Sequence, residues 1–171
     1  HNQANIAAAV AVAKQFEISA EVIARALQKF QPLPHRLEFV GRFRGVDFFD
    51  DAISTTPQST IQALETLPNI GTIFLGGQDR GYDFAQLEKK LHQCKIKNVV
   101  LFPDSGQRIL KNRQGFNILE TSDMAEAVAF AFAHTPQNSI CLLSTASPSY
   151  SVWKNFEEKG DLFQRFVKEK A

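Results

Sequence analysis

The chain shows two patterns of apolar and polar positions, and one gives way to the other near residue 34. Up to that point apolar residues recur every three or four positions, a spacing that is typical of helices. From His35 onward, short apolar runs alternate with helical patterns. This alternation predicts an α/β fold: a mostly parallel sheet with helices on both faces, preceded by an N-terminal helical lead-in.

The boundaries of the predicted elements follow from these runs and from the residues that interrupt them. Helices are predicted at 2–16, 19–30, 57–67, 83–92, 106–112, 122–133 and 151–169. Strands are predicted at 37–43, 46–49, 72–75, 98–102, 116–119 and 139–144. Arg44 and Gly45 separate the first two strands, so we expect these two to form an antiparallel hairpin at one edge of the sheet.

Several helix ends carry residues that favour them. Ser19, Thr56 and Ser122 are predicted N-caps, and Pro57 suits a first helical position. From the spacing of its apolar residues, the buried face of the second helix is predicted to comprise Val22, Ile23, Ala26, Leu27 and Phe30.

Composition and charge argue against several classes of function. The net charge of +1 gives no strong attraction for nucleic acid, and no apolar run approaches the roughly 18 residues of a membrane span. Cys94 and Cys141 lie far apart, which indicates neither a disulfide framework nor a metal site and suits a reducing cytosol. No set of His, Cys, Asp and Glu has metal-ligand spacing. Because the chain begins at His1 inside a helical pattern, we expect it to be a fragment of a longer protein.

The most polar segment in the sheet region directly follows the second predicted strand. Asp50 and Asp51 end that strand, and Ser54, Thr55 and Thr56 lead into the next helix. Ligands of open α/β sheets bind beyond the carboxyl ends of the strands, where helix N-termini offer free N–H groups to anions. The segment therefore suits a binding site, although the same residues also suit a turn and a helix cap.

Two further segments should reach the same sheet edge. Gly76 and Gly77 follow a strand and precede Arg80, whose guanidinium suits a carboxylate or phosphate; the alternative is a glycine turn with a surface arginine. The hydroxyl-rich run 144–150 follows the last strand and suits an anion, but it has no Gly-x-Ser-x-Gly elbow for a nucleophilic serine. The chain also lacks a P-loop, since Gly-Lys-Ser/Thr does not occur in it.

Five segments, taken in order, resemble the C-terminal part of Mur ligases. They are His1-Asn2-Gln3-Ala4-Asn5, Leu33-Pro34-His35-Arg36-Leu37-Glu38, Asp50-Asp51 with its hydroxyl run, Gly76-Gly77 with Arg80 and Asp83-Phe84, and Ser149 with Lys154-Asn155-Phe156-Glu157 through Gly160. The resemblance implies a three-domain enzyme. Residues 1–34 would end its central, ATP-binding domain, and residues 35–171 would form its Rossmann-like C-terminal domain.

The resemblance also implies an activity. It is strongest to the branch of the family that adds D-glutamate to the UDP-linked muramoyl precursor in peptidoglycan synthesis, and hence serves cell-wall biogenesis, cell shape and cell division. The implied protein is a cytoplasmic monomer that uses ATP and Mg²⁺, both bound mainly by the central domain, and binds neither nucleic acid nor a membrane. This fragment alone would be inactive, because it has no P-loop.

Particular residues would carry this chemistry if the resemblance holds. Those implied at the nucleotide are Asn2, Asn5 and His35 at the adenine, and Arg36 and Asp51 at the phosphates and ribose, the last two with a catalytic role. Those implied at the incoming D-glutamate are Arg80, Ser149 and Phe156, with Ser54 and Thr55 as helpers. No metal ligand is implied within this chain.

One residue departs from the D-glutamate branch. That branch usually has Asp-Ser-Lys-Ala-Thr-Asn after the strand, whereas this chain has Asp51-Ala52-Ile53-Ser54-Thr55-Thr56, with Ile53 at the lysine position. Two alternatives therefore stay open. One is a related Mur or folylpolyglutamate-type ligase with another acceptor, and the other is a non-catalytic nucleotide- or protein-binding module.

Overall fold

The computed structural model describes residues 3–171, which form two compact units that divide between Leu33 and Pro34. The first unit holds helices α1 (Gln3–Gln15) and α2 (Ala20–Lys29). The Ser19 side chain caps α2 as predicted, by accepting a hydrogen bond from the Val22 N–H.

The predicted buried face of α2 is wrong. None of its residues is buried, and Val22, Leu27 and Phe30 are 44%, 41% and 55% exposed. Two short helices joined by four residues provide too little surface to enclose a core of their own.

The second unit is built on a sheet whose described strands are β1 (Glu38–Phe43), β2 (Val46–Asp50), β3 (Ile70–Gly76), β4 (Asn98–Phe102), β5 (Asn117–Glu120) and β6 (Ile140–Leu143). Their order across the sheet is β1-β2-β6-β3-β4-β5. All neighbours pair in parallel except β1 and β2, which form the predicted antiparallel edge hairpin. Arg44 and Gly45 turn the hairpin with positive φ angles of 50° and 80°, as a tight two-residue turn requires.

Helices cover both faces of this sheet, as predicted. They are α3 (Pro57–Thr66), α4 (Ala85–Gln93), α5 (Gly106–Ile109), α6 (Met124–His134) and α7 (Phe156–Lys170). Successive residues of β3 point to opposite faces: Ile73 and Leu75 pack in the core under α3, α4 and α5, and Phe74 packs in the core under α6 and α7. No described helix is long and apolar enough to cross a bilayer.

Three predicted helix ends are wrong, and at each observed end a polar side chain bonds the backbone. Helix α5 stops at Ile109 rather than 112, since Glu88 accepts hydrogen bonds from the N–H groups of residues 111 and 112. Helix α7 begins at Phe156 rather than 151, where the Asn155 side chain caps it. The N-cap of α6 is Asp123, which accepts from the Ala125 N–H, rather than Ser122.

The strand order decides which loops meet. Because β6 lies between β2 and β3, the carboxyl ends of these three strands are adjacent. The segments that follow them, which begin at Asp51, Ser144 and Gly77, therefore gather at one edge of the sheet, where ligands of open α/β sheets bind.

Candidate functional site

A cleft of about 330 Å³ opens at this edge. It is lined by Ile53, Thr55, Arg80, Tyr82, Pro148, Ser149, Tyr150 and Phe156. Four of the predicted acceptor-binding residues thus meet in one place. The fifth, Ser54, is not among the lining residues: it is buried, and its carbonyl oxygen accepts from the Ala146 N–H at 3.1 Å.

The lining combines one cation with hydroxyl and apolar groups. Arg80 is the one charged side chain among the residues that line the cleft, and its Nε donates to Gln78 Oε1 at 3.0 Å. Ser149 is 2% exposed, and its Oγ has no hydrogen-bond partner among the described residues. A buried hydroxyl without a partner costs about 1–3 kcal/mol, so a polar ligand group in the cleft would relieve that penalty.

Close backbone contact joins the two loops that carry Arg80 and Ser149. The Gln78 N–H donates to the Pro148 carbonyl oxygen at 2.7 Å. Gly77, with φ +143°, lies so near Pro148 that a Cβ at this position would collide with the same carbonyl oxygen. Glycine is therefore needed at 77 to bring the two loops together.

A buried polar cluster lies beside the cleft, at the end of β2. Both oxygens of the Asp51 carboxylate are bonded: Oδ1 accepts from the Leu37 N–H at 3.2 Å, and Oδ2 accepts from Ser144 Oγ at 2.7 Å. Burial is the main cause that raises the pKa of Asp51 to about 6. The neighbouring Asp50 carboxylate, also buried, lies 2.7 Å from Nδ1 of His35, and this hydrogen bond raises the pKa of His35.

The predicted nucleotide residues differ in whether the structure leaves their side chains available for a ligand. Arg36 has a buried Nε without a hydrogen-bond partner among the described residues, so it retains a donor for a ligand. His35 is committed to Asp50 through Nδ1, and its Nε2 lies 3.7 Å from Asp161 Oδ1. Asn5 belongs to α1 in the first unit. Asn2 lies outside the described residues.

One group in the described part of the chain has the composition of a metal site. Ligand atoms of His35, Glu38 and Asp50 all lie within 4.8 Å of one another. Each of the three already takes part in a hydrogen bond within the group, because Glu38 accepts from the His35 N–H at 2.8 Å and Asp50 bonds the imidazole. The spacing of these residues along the chain does not reveal this group, because the pairing of β1 with β2 is needed to bring residues 38 and 50 opposite each other.

Sequence reasoning missed Lys159. This side chain is completely buried, and its Nζ donates to Thr145 Oγ1 at 2.5 Å. Burial lowers the pKa of its ammonium from 10.5 to about 7, although the charges of Asp50 and Asp51 act in the opposite direction. Its burial could in principle be predicted from the sequence, because helical spacing puts it on the same inward face of α7 as Phe163.

Comparison with known proteins gives a consistent set of matches. The family profile described as Mur ligase, glutamate ligase domain, matches residues 35–147. A UDP-N-acetylmuramoylalanine–D-glutamate ligase of Pelotomaculum thermopropionicum is 37% identical over 170 residues, which are 98% of this chain and 37% of that protein. A UDP-N-acetylmuramoyl-L-alanine–L-glutamate ligase of a Micromonospora strain is 34% identical over 179 residues, which are 100% of this chain and 39% of that protein.

Solved structures agree on the fold. MurF ligase from Thermotoga maritima, in complex with ADP, superposes with a TM-score of 0.69 at 17% identity, over 98% of this chain and 38% of that one. MurC from the same organism gives a TM-score of 0.70 at 18% identity, over 100% of this chain and 38% of that one. This chain therefore spans less than two fifths of the length of each of these four proteins.

Proposed function

The chain belongs to the Mur ligase family, and from this premise we propose that it is the amino-acid-accepting part of an ATP-dependent ligase that adds D-glutamate to UDP-N-acetylmuramoyl-L-alanine. Residues 35–171 would form the C-terminal domain, and residues 1–34 would end the central one. One observation carries the proposal: the cleft combines a single cation, Arg80, with the buried hydroxyl of Ser149, which has no hydrogen-bond partner in the described part of the chain.

The cleft suits an acidic amino acid. Arg80 presents a planar, charged fork that fits a carboxylate with two parallel hydrogen bonds. Ser149 Oγ and the Thr55 hydroxyl would bind the second carboxylate, with Ser54 supporting the loop from below. The ring of Phe156 forms an apolar wall that orients the carbon chain between them.

The nucleotide is assigned to residues other than those that line the cleft. Arg36 would hold phosphate oxygens, and its buried Nε, to which residues 3–171 offer no acceptor, supports this role. Asp51 would contact the ribose through the lone pairs left by its two protein partners, and His35, Asn2 and Asn5 would contact the adenine. ATP, when bound, supplies the phosphoryl group that activates a carboxylate toward an amine.

The chain itself would contribute positioning and charge. Arg36 and Arg80 would bring the nucleotide and the acceptor to neighbouring places on one sheet edge, which reduces the entropic part of the barrier. Magnesium would be held mainly outside this chain, because the His35, Glu38 and Asp50 group is already bonded internally and includes a nitrogen ligand, whereas Mg²⁺ prefers oxygen. We expect residues 1–171 alone to be inactive, since they carry no P-loop.

L-Glutamate is the second candidate acceptor. The lining of the cleft includes Ile53, which stands where the D-glutamate branch usually has a lysine. Relatives named as L-glutamate ligases match this chain about as well as those named as D-glutamate ligases. The two enantiomers therefore have to be compared directly.

An acceptor screen on the full-length protein tests the proposal. ADP release is measured with UDP-N-acetylmuramoyl-L-alanine and, in parallel, D-glutamate, L-glutamate, D-aspartate, L-alanine or meso-diaminopimelate. We expect release with D-glutamate, whereas release with L-glutamate alone would select the second candidate. Nucleotide binding without release for any acceptor would refute the ligase and favour a binding module. Cell fractionation and sedimentation would test our expectation of a cytoplasmic monomer.

A further inference from the structure

The loop that carries Arg80 is held from outside the cleft by Arg108 of α5. One terminal nitrogen of Arg108 forms an ion pair with Asp79 Oδ1, and the other donates to the Tyr82 carbonyl oxygen at 3.1 Å. The guanidinium also lies over the Phe84 ring, 5.6 Å from its centroid. A single side chain therefore contacts three points of the segment 79–84.

Within this segment, Arg80 and Tyr82 line the cleft, and the contacts of Arg108 lie at Asp79, at Tyr82 and at Phe84. Asp79 precedes Arg80, and its Oδ1 also accepts from the Gly81 N–H at 2.8 Å. Tyr82 follows; its carbonyl oxygen accepts from Arg108, and the residue lines the cleft. Fixing both ends of this short turn restricts where the guanidinium of Arg80 can lie.

We propose that Arg108 is a positioning residue for the acceptor carboxylate, which it never touches; this inference rests on the proposed function. Each contact alone contributes little to stability, because the side chains of Arg108 and Asp79 are 45% and 31% exposed. Their effect is geometric. A binding group that is held in place before the ligand arrives loses less conformational freedom when it binds.

Replacing Arg108 by methionine tests this, because Met keeps the aliphatic length but cannot bond Asp79 or Tyr82. In the full-length ligase, Arg108→Met should raise the half-saturating concentration of the acceptor about three- to tenfold. The maximal rate and the half-saturation by ATP should stay within about twofold. The chain offers a matched control in Arg113, which forms a comparably exposed ion pair with Glu120 and is 44% exposed. Arg113→Met should leave all three values unchanged.

A double-mutant cycle separates positioning from a general loosening of the fold. If Arg108 acts through Arg80, Arg108→Met should have almost no further effect on acceptor half-saturation in an Arg80→Ala background. Two fully additive effects would overturn the proposal, since Arg108 would then act without Arg80.

Hydrogen exchange provides a readout that does not need activity. Peptides covering residues 78–84 should exchange faster in Arg108→Met than in wild type or in Arg113→Met, because the Gly81 N–H and its acceptor Asp79 lose their anchor. If no acceptor supports turnover, the proposed function fails, and the exchange result still decides whether Arg108 holds the loop. Equal exchange in Arg108→Met and Arg113→Met would overturn the inference.

Discussion

Replacing the buried Lys159 by methionine should stabilise this protein and change how its stability depends on pH. Nζ has no exposure to solvent, and its hydrogen-bond partner among the described residues is Thr145 Oγ1. The pKa falls from 10.5 in the unfolded chain to about 7 in the folded one, with burial as the main cause. Methionine has a similar length and no charge to bury, so the replacement removes the desolvation penalty while largely keeping the packing.

The magnitude follows from the linkage between proton binding and folding. The pKa of Lys159 differs between 10.5 in the unfolded chain and about 7 in the folded one. At about 1.4 kcal/mol per pKa unit, this difference corresponds to a loss of about 5 kcal/mol in the free energy of unfolding while the ammonium is charged. Between these two pH values the unfolded chain binds more protons than the folded one, so wild-type stability rises with pH across the window. Below the window the whole penalty is present, and above it the penalty is gone. Loss of the hydrogen bond to Thr145 subtracts about 1 kcal/mol at every pH.

Urea unfolding of wild type and Lys159→Met, repeated from pH 6 to pH 10.5, measures this directly. We expect the variant to be about 4 kcal/mol more stable at pH 6 and about 1 kcal/mol less stable at pH 10.5. Groups that titrate alike in both proteins cancel in the difference. Lys168→Met, at an exposed position of the same helix, controls for the removal of a lysine and should shift stability by no more than about 0.5 kcal/mol. A stability difference between Lys159→Met and wild type that stays constant across this range would refute the reasoning.

Three further predictions test the site. Arg80→Ala should raise the half-saturating concentration of the acidic acceptor roughly ten- to a hundredfold in the full-length ligase, because a charged hydrogen bond contributes about 1.5–3 kcal/mol. The half-saturating concentration of ATP should stay nearly unchanged. Equal affinity of the variant and the wild type for the acceptor would remove Arg80 from the site. Arg36→Ala should lower the maximal rate by more than a loss of folded protein explains, with the melting temperature as the measure of folding. An unchanged rate in a well-folded variant would contradict its role at the nucleotide. Gly160→Ala should destabilise the fold by about 1–3 kcal/mol in urea, because the added Cβ would lie 2.7 Å from Asp50 Oδ2 and 2.8 Å from Cε1 of His35; unchanged stability would show that this site has room for a methyl group.

The fold class was predictable from the sequence because it depends on patterns that neighbouring residues show directly. The strand of Ile73, Phe74 and Leu75 reads as an apolar run bounded by glycines, and Thr56 with Pro57 marks a helix start, which the structure confirms. Helix ends were less predictable where a distant side chain decides them. Glu88, for example, ends α5 from a different helix, 23 residues away from the first N–H that it accepts.

The contacts within the candidate site were beyond sequence reasoning for the same reason. The family resemblance pointed to Arg80 and Ser149. It could not show that Ser149 Oγ lacks a hydrogen-bond partner among the residues that the structure describes, since this depends on how the loop after β6 packs beside the one after β3. The pairing of His35 with Asp50 requires the β1–β2 hairpin to bring the end of β2 beside the residues that precede β1. Arg108 meets Asp79 only because the loops after β3 and β4 lie side by side.

The buried charges beside the cleft connect stability to the proposed chemistry. Asp51 and Lys159 both lie in the interior, and burial shifts the pKa of each toward neutrality, to about 6 and about 7. If Lys159→Met is more stable, as predicted above, then folding alone does not explain why an ammonium is buried at this position. Its hydrogen-bond acceptor, Thr145, lies in the segment that leads to Ser149 of the cleft, so we expect Lys159 to help hold Ser149 in place. Lys159→Met should therefore yield a more stable protein that needs a higher concentration of the acceptor for half-saturation. A stabilised variant with an unchanged half-saturating concentration would leave the lysine without a role in the site.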